Sequence, residues 1–139
     1  MLVILDTNVL FSAILAPSGA PAQIHEAWRL KRFELATCID QIDEIRKASR
    51  YPRFRSALQP HRFGILINNL SRATVWTKPL PKLHIAEDAG DSFLLNLSEA
   101  VKAHYLVTGD KRSHILELGN VGETRILTAR QFCDQVLQL

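Results

Sequence analysis

Three carboxylates stand where an oxygen-ligated cation could meet a phosphodiester. Asp6 directly follows the apolar run Leu2–Leu5, and Asp110 follows Tyr105–Thr108 after a single Gly109. Asp91 closes the segment Glu87-Asp88-Ala89-Gly90-Asp91, ahead of a further apolar stretch. A carboxylate at the end of an apolar run is costly to bury without a partner or a cation. Asp and Glu with no His or Cys spacing around them suit hard cations such as Mg²⁺ or Mn²⁺, and not zinc. Such a cation makes bound water a better nucleophile and stabilises charge on the scissile phosphate. Carboxylates alone repel phosphate, so substrate binding would be coupled to the cation. The reaction class these residues point to is phosphodiester hydrolysis.

Blander roles compete at each position. Asp88 reads as a helix cap beside Asp91, and Asp110 could serve a turn after Gly109. No Walker loop, GxGxxG, HExxH or GxSxG motif is present. His25, His61, His84, His104 and His114 are scattered, with His114 the nearest to Asp110. Cys38 and Cys133 form no CxxC or zinc spacing and read as two small buried side chains. A phosphatase that places Asp after its first strand would need a second Asp two residues on, where Asn8 stands.

The elements that must position these acids alternate. Leu2–Leu5 is a short continuous apolar run, which fits a strand buried on both faces. Phe33–Thr37, Ala73–Thr77, Tyr105–Thr108 and Thr124–Leu127 are further strand candidates. Pro21 suits a first helical turn, with Ile24, Ala27 and Trp28 following at helical spacing. Asp40 can cap a helix carrying Ile42 and Ile45, which Tyr51-Pro52 ends. Phe63, Leu66, Ile67 and Leu70 form an amphipathic face, as do Leu94, Leu97 and Val101 with Phe93 and Ala100. Thr128 with Gln131 reads as a capping box, followed by a stripe of Ala129, Phe132, Val136 and Leu139. Strands alternating with helices predict one α/β domain over residues 1–139 with a mainly parallel sheet. In such sheets ligands bind outside the carboxyl ends of the strands, where Asp6 and Asp110 can converge.

The composition agrees. With 47% hydrophobic and 22% charged residues, the 139-residue chain reads as an ordinary globular domain. No run of about 18 apolar residues and no basic leader are present, so the expectation is a cytoplasmic protein without a membrane span. A net charge of +3 permits nucleic-acid binding without requiring it. Arg29, Lys31, Arg32, Arg46, Lys47, Arg50, Arg53, Arg55, Arg62 and Arg72 crowd the first half. They could be a solvated helix face or a surface for a phosphate backbone.

Several segments, in order and with matching spacing, resemble one family. Val3-Ile4-Leu5-Asp6-Thr7-Asn8-Val9-Leu10 resembles the opening of PIN domains. Asp88-Ala89-Gly90-Asp91-Ser92-Phe93-Leu94 and Tyr105-Leu106-Val107-Thr108-Gly109-Asp110-Lys111 resemble their central and third acidic motifs. The tail Arg125–Phe132 is similar to the end of a PIN subgroup described as toxins of toxin–antitoxin pairs (VapC-like). The resemblance covers nearly the whole chain. It implies a three-layer α/β/α sandwich around a five-stranded parallel sheet of order 3-2-1-4-5. It also implies Mg²⁺- or Mn²⁺-dependent RNA cleavage, an antitoxin partner and a homodimer.

Carried over by position, Asp6, Asp91 and Asp110 match family acids expected to ligate metal. For the remaining acid, on the helix after the second strand, Asp43 and Glu44 compete, and Glu44 aligns better. Asn8 and Thr108 match polar positions that support the carboxylates by hydrogen bonds, with Asp88 and Ser113 as further supports. Many members carry another acid a few residues after the Asp110 position, where this chain has Lys111-Arg112-Ser113-His114. Gly90 also replaces an acid common beside Asp91. These departures leave a second metal site in question, and they leave open a catalytically weak module that binds RNA or protein without cleaving.

Overall fold

The structure, a computed structural model, describes residues 1–16, 18–52, 60–80, 89–109 and 114–139, with backbone alone for 89–92 and 114. Among the described residues six strands form one sheet: β1 (Leu2–Leu5), β2 (Glu34–Cys38), β3 (Thr74–Trp76), β4 (Tyr105–Thr108), β5 (Asn120–Val121) and β6 (Thr124–Thr128). Their order is β3-β2-β1-β4-β6-β5, and every pairing is parallel except β5 with β6. The five parallel strands lie in the expected 3-2-1-4-5 arrangement. The expectation of a purely parallel five-stranded sheet is corrected to a mixed six-stranded one. The extra strand arises because Gly122, at φ +56°, lets the chain reverse over Gly122-Glu123 into an antiparallel edge. A Cβ at Gly122 would meet Glu99 Oε2 at 2.8 Å. Two residues are too short to show a strand period in sequence.

Alternate side chains of the strands enter opposite layers. Val3, Leu5, Leu35, Val107 and Leu127 pack on one face; Ile4, Ala36, Leu106 and Ile126 pack on the other. The first face is covered by α1 (Thr7–Leu15), α2 (Ala20–Arg29), α3 (Ile39–Ala48), α4 (Pro60–Ser71) and the C-terminal helix. The second is covered by α5 (Ala89–Val101) and α6 (His114–Leu118), through Leu94, Leu95, Leu97 and Ile115. The apolar strand runs follow from this double coverage. No helix among the described residues is long and apolar enough to cross a membrane.

Two local expectations change, and one helix, α1, had no expectation to meet. The helix α1 carries no amphipathic stripe because it is buried on most sides, through Thr7, Val9, Leu10, Phe11 and Ile14. The helix α3 begins at Ile39, so Asp40 lies exposed inside its first turn and Cys38 is the N-cap, without a side-chain bond. Asp40 there complements the helix dipole and does not cap. At the C-terminus, the capping box of Thr128 and Gln131 forms in full, opening α7 (Ala129–Gln131). The chain then widens into a π-helix over Phe132–Leu137. That wider turn brings Cys133 and Leu137 inward and leaves Leu139 60% exposed, outside the expected stripe. Phe132 is fully buried, edge-on to Phe33 and Tyr105 with ring centroids 5.6 and 5.7 Å apart.

His25 on α2 is half-buried with its ring edge-on to Trp28, and its Nε2 meets no partner among the described residues. Burial lowers its pKa below 6.5, with Glu26 opposing and Arg29 reinforcing the shift. A histidine held neutral in the fold favours the folded state above its unfolded pKa. That contribution is lost as pH falls below 6.5 toward the depressed folded value. His25→Phe keeps the aromatic contact and removes the titration. The drop in Tm between pH 7.5 and pH 5 should therefore be smaller in the variant, by thermal melts followed by circular dichroism. Equal drops would contradict it. Phe132→Ala should cost about 3–5 kcal/mol in urea unfolding, and Thr128→Ala about 1 kcal/mol.

Candidate active site

Asp6 stands where β1 ends and α1 begins. Its backbone is extended (φ −57°, ψ 147°), and its carbonyl accepts from Val9 N–H at 2.9 Å and Leu10 N–H at 3.2 Å. The side chain is the N-cap of α1: Oδ1 accepts from the Asn8 backbone N–H at 3.3 Å. Its other oxygen, Oδ2, accepts from the hydroxyl of Thr108, also at 3.3 Å. Thr108 ends β4 and is buried. The Asp6 N–H donates to the Val107 carbonyl at 2.9 Å. Both oxygens of this half-buried carboxylate are thus held by donors from two neighbouring elements. The N-terminus of α1 sets a partial positive charge beside it.

The remaining predicted residues fall as follows. Asn8 takes part through its backbone, with its side chain exposed. Glu44 is half-buried on α3, whereas its neighbour Asp43 is exposed. Asp91 lies in the first turn of α5, its side chain beyond the described atoms. Asp88, Asp110 and Ser113 lie outside the described residues. Gly109, the last described residue on that side, sits against α1, where a Cβ would lie 3.4 Å from Val9 Cγ2. Among the described residues no group of three or more His, Cys, Asp or Glu is gathered that could hold a metal. Asp6 and Glu44 supply carboxylate oxygens, a donor chemistry suited to a hard cation. The nearest soft donor in sequence, Cys38, is buried, and burial pushes its thiol pKa up, away from the thiolate a soft metal needs.

Two further residues at this edge escaped the sequence reading. Thr37, in β2, donates its hydroxyl to Gln41 Oε1 at 2.6 Å, and Gln41 Nε2 donates to the Leu5 carbonyl at 2.7 Å. Both are buried. A Thr–Gln pair four residues apart across a strand-to-helix junction was the available signal.

Of the basic residues of the first half, Arg53 and Arg55 lie outside the described residues, and several of the others have separate tasks. Arg29 pairs with Glu26 at 2.6 Å, Arg32 donates to the Leu137 carbonyl at 2.8 Å, and Arg62 donates to the Ile14 carbonyl at 3.3 Å. A groove of about 580 Å³ lies at the amino ends of β2 and β3, lined by Trp28, Lys31, Glu34, Asn69 and Arg72. It is on the opposite edge of the sheet from Asp6. Its cations sit where α2 and α4 end, which suits the negative pole of a helix dipole. A smaller groove of about 290 Å³ lies on the Asp6 edge, lined by Cys38, Ile39, Asp40, Trp76, Lys78 and Leu80.

The family model for the PIN domain matches residues 2–112, which carry Asp6, Glu44, Asp91 and Asp110 together. The chain belongs to the PIN domain family. PIN domains are typically nucleases that act on nucleic acid with divalent metal ions. This PIN domain is also 24% identical to the uncharacterized protein MJ1680 of Methanocaldococcus jannaschii over 141 residues, covering 96% of this chain and 90% of the relative. No solved structure matches.

Thr108→Val keeps shape and burial but removes one donor from Asp6. It should cost about 1 kcal/mol in urea unfolding. Unchanged or increased stability would show that the Thr108–Asp6 bond does not hold this edge together.

Proposed function

We propose that this PIN domain is a metal-dependent endoribonuclease that hydrolyses RNA phosphodiester bonds, and that it is the toxin of a toxin–antitoxin pair. The observation that carries the reading is the Asp6 carboxylate, held by two donors at the carboxyl edge of a parallel sheet in a PIN chain. Asp6, Asp91 and Asp110 would hold Mg²⁺ or Mn²⁺, and Glu44 would complete the acidic set. A bound divalent cation lowers the pKa of water and stabilises charge on the phosphate. The chain's own contribution is orientation. Thr108 and the Asn8 N–H fix Asp6 before substrate arrives, so little reorganisation accompanies the reaction. The products expected are a 5′-phosphate and a 3′-hydroxyl.

The toxin role rests on the tail Arg125–Phe132, and with it go a cognate antitoxin that blocks the site and a homodimeric state. A second reading, an RNA- or protein-binding module without cleavage, is favoured by one feature: Lys111–His114 offers no acid after Asp110.

Asp6→Asn and Asp110→Asn should each abolish cleavage of single-stranded RNA in Mn²⁺ while keeping the circular dichroism spectrum of the wild type. Wild-type cleavage by both variants would overturn the site. Absence of both saturable Mn²⁺ binding and cleavage in the wild type would favour the binding module.

A further inference from the structure

The β1–β2 ladder pairs Leu2 with Glu34 and Val3 with Leu35, and its register stops there. On the other side β1 stays paired with β4 as far as Leu5–Val107, and Asp6 N–H reaches Val107. The carboxyl end of β1 therefore leaves β2 while remaining bound to β4. Backbone polar groups of successive strand residues point to alternate sides. Because the Asp6 N–H faces β4, the Leu5 carbonyl faces the gap toward β2. Continuing the register by two residues would set Leu5 opposite Thr37. Into that gap comes the Gln41 amide, which donates to Leu5 and accepts from Thr37.

We propose that Gln41 is a positioning residue for the Asp6 site: its buried amide closes the gap between β1 and β2 and so fixes the backbone from which Asp6 projects. The proposal rests on the nuclease reading for its catalytic consequence. The geometry has three parts. First, Leu5 immediately precedes Asp6, so the bond to its carbonyl restrains the peptide that carries the carboxylate. Second, Gln41 lies one turn before Glu44 on α3, so the same bond ties the helix bearing Glu44 to the strand bearing Asp6. Third, the amide cannot reverse without cost. A flip would set Oε1 against the Leu5 carbonyl, two acceptors facing each other in a buried site. Thr37, donating to Oε1, selects the productive orientation and is itself fixed by the β2–β3 register pair with Val75. A buried amide that only satisfied its own polarity would not need to span the two strands at the residue before the acid.

Gln41→Met keeps length and approximate volume while removing both bonds. In the full chain without added metal, hydrogen exchange at the Asp6 and Asn8 amides should accelerate more than at Leu106 or Ile126. Mn²⁺ affinity, read by water proton relaxation, should fall about tenfold or more. The kcat on a short RNA should fall with it, while KM stays within about twofold. Thr37→Val/Gln41→Met should be no worse than Gln41→Met alone, because Thr37 acts through the amide. Uniform exchange changes, or wild-type Mn²⁺ affinity in Gln41→Met, would overturn the proposal. If Gln41→Met does not fold, Thr37→Val carries the same test, with an expected loss of about fivefold in Mn²⁺ affinity. A wild type that neither binds Mn²⁺ nor cleaves RNA would defeat the nuclease reading instead. The exchange pattern at Asp6 and Asn8 would then decide the positioning role alone.

Discussion

The organisation of this edge depends on where one carboxylate is anchored. Asp6 ends a strand whose preceding three residues are nearly or fully buried, and it must satisfy a charge at the rim of that core. Its solution uses three contacts from two elements: the first turn of α1 for one oxygen, the end of β4 for the other, and the β4 backbone for its own N–H. Losing any of these would leave a partly desolvated charge short of donors, a costly state in a low-dielectric rim.

That anchoring explains the shape of the rest. The strand β1 must be central, since only a strand with neighbours on both sides can take a donor from β4 and a brace from the β2–α3 junction. The helix α1 must follow without a loop, because its first N–H groups are the donors. The burial of Val9, Leu10, Phe11 and Ile14 then fixes it against the sheet. The result is an acid whose position is set by core packing and strand pairing together. PIN domains are typically nucleases, and a preset carboxylate is what metal-assisted hydrolysis needs.

Much of this was readable in the residues because burial on both faces writes a simple code. Leu2–Leu5 and Tyr105–Thr108 coincide with β1 and β4, since a strand covered by helices on both sides must be apolar throughout. Asp6 stood out for the converse reason: a charge ending such a run has to be accounted for. The same code hid α1, whose apolar residues leave no stripe to count. It also hid β5, whose existence depends on the positive φ of Gly122 and not on any period. Glu44 and Asp43 could be ranked only by register in the sequence, and the fold separates them by exposure. Gln41 and Thr37 offered only their four-residue spacing in sequence, because their meaning lies in a gap between strands that only the three-dimensional register reveals.

In the proposed function, Asp6 belongs to a cation site at the carboxyl edge of β1 and β4. Diffraction from Mn²⁺-soaked crystals at the manganese absorption edge tests it most directly. An anomalous peak is expected within coordination distance of an Asp6 carboxylate oxygen, about 2.1 Å away, with Asp91 and Asp110 on its other sides. Manganese bound elsewhere, with no peak at Asp6, would contradict it.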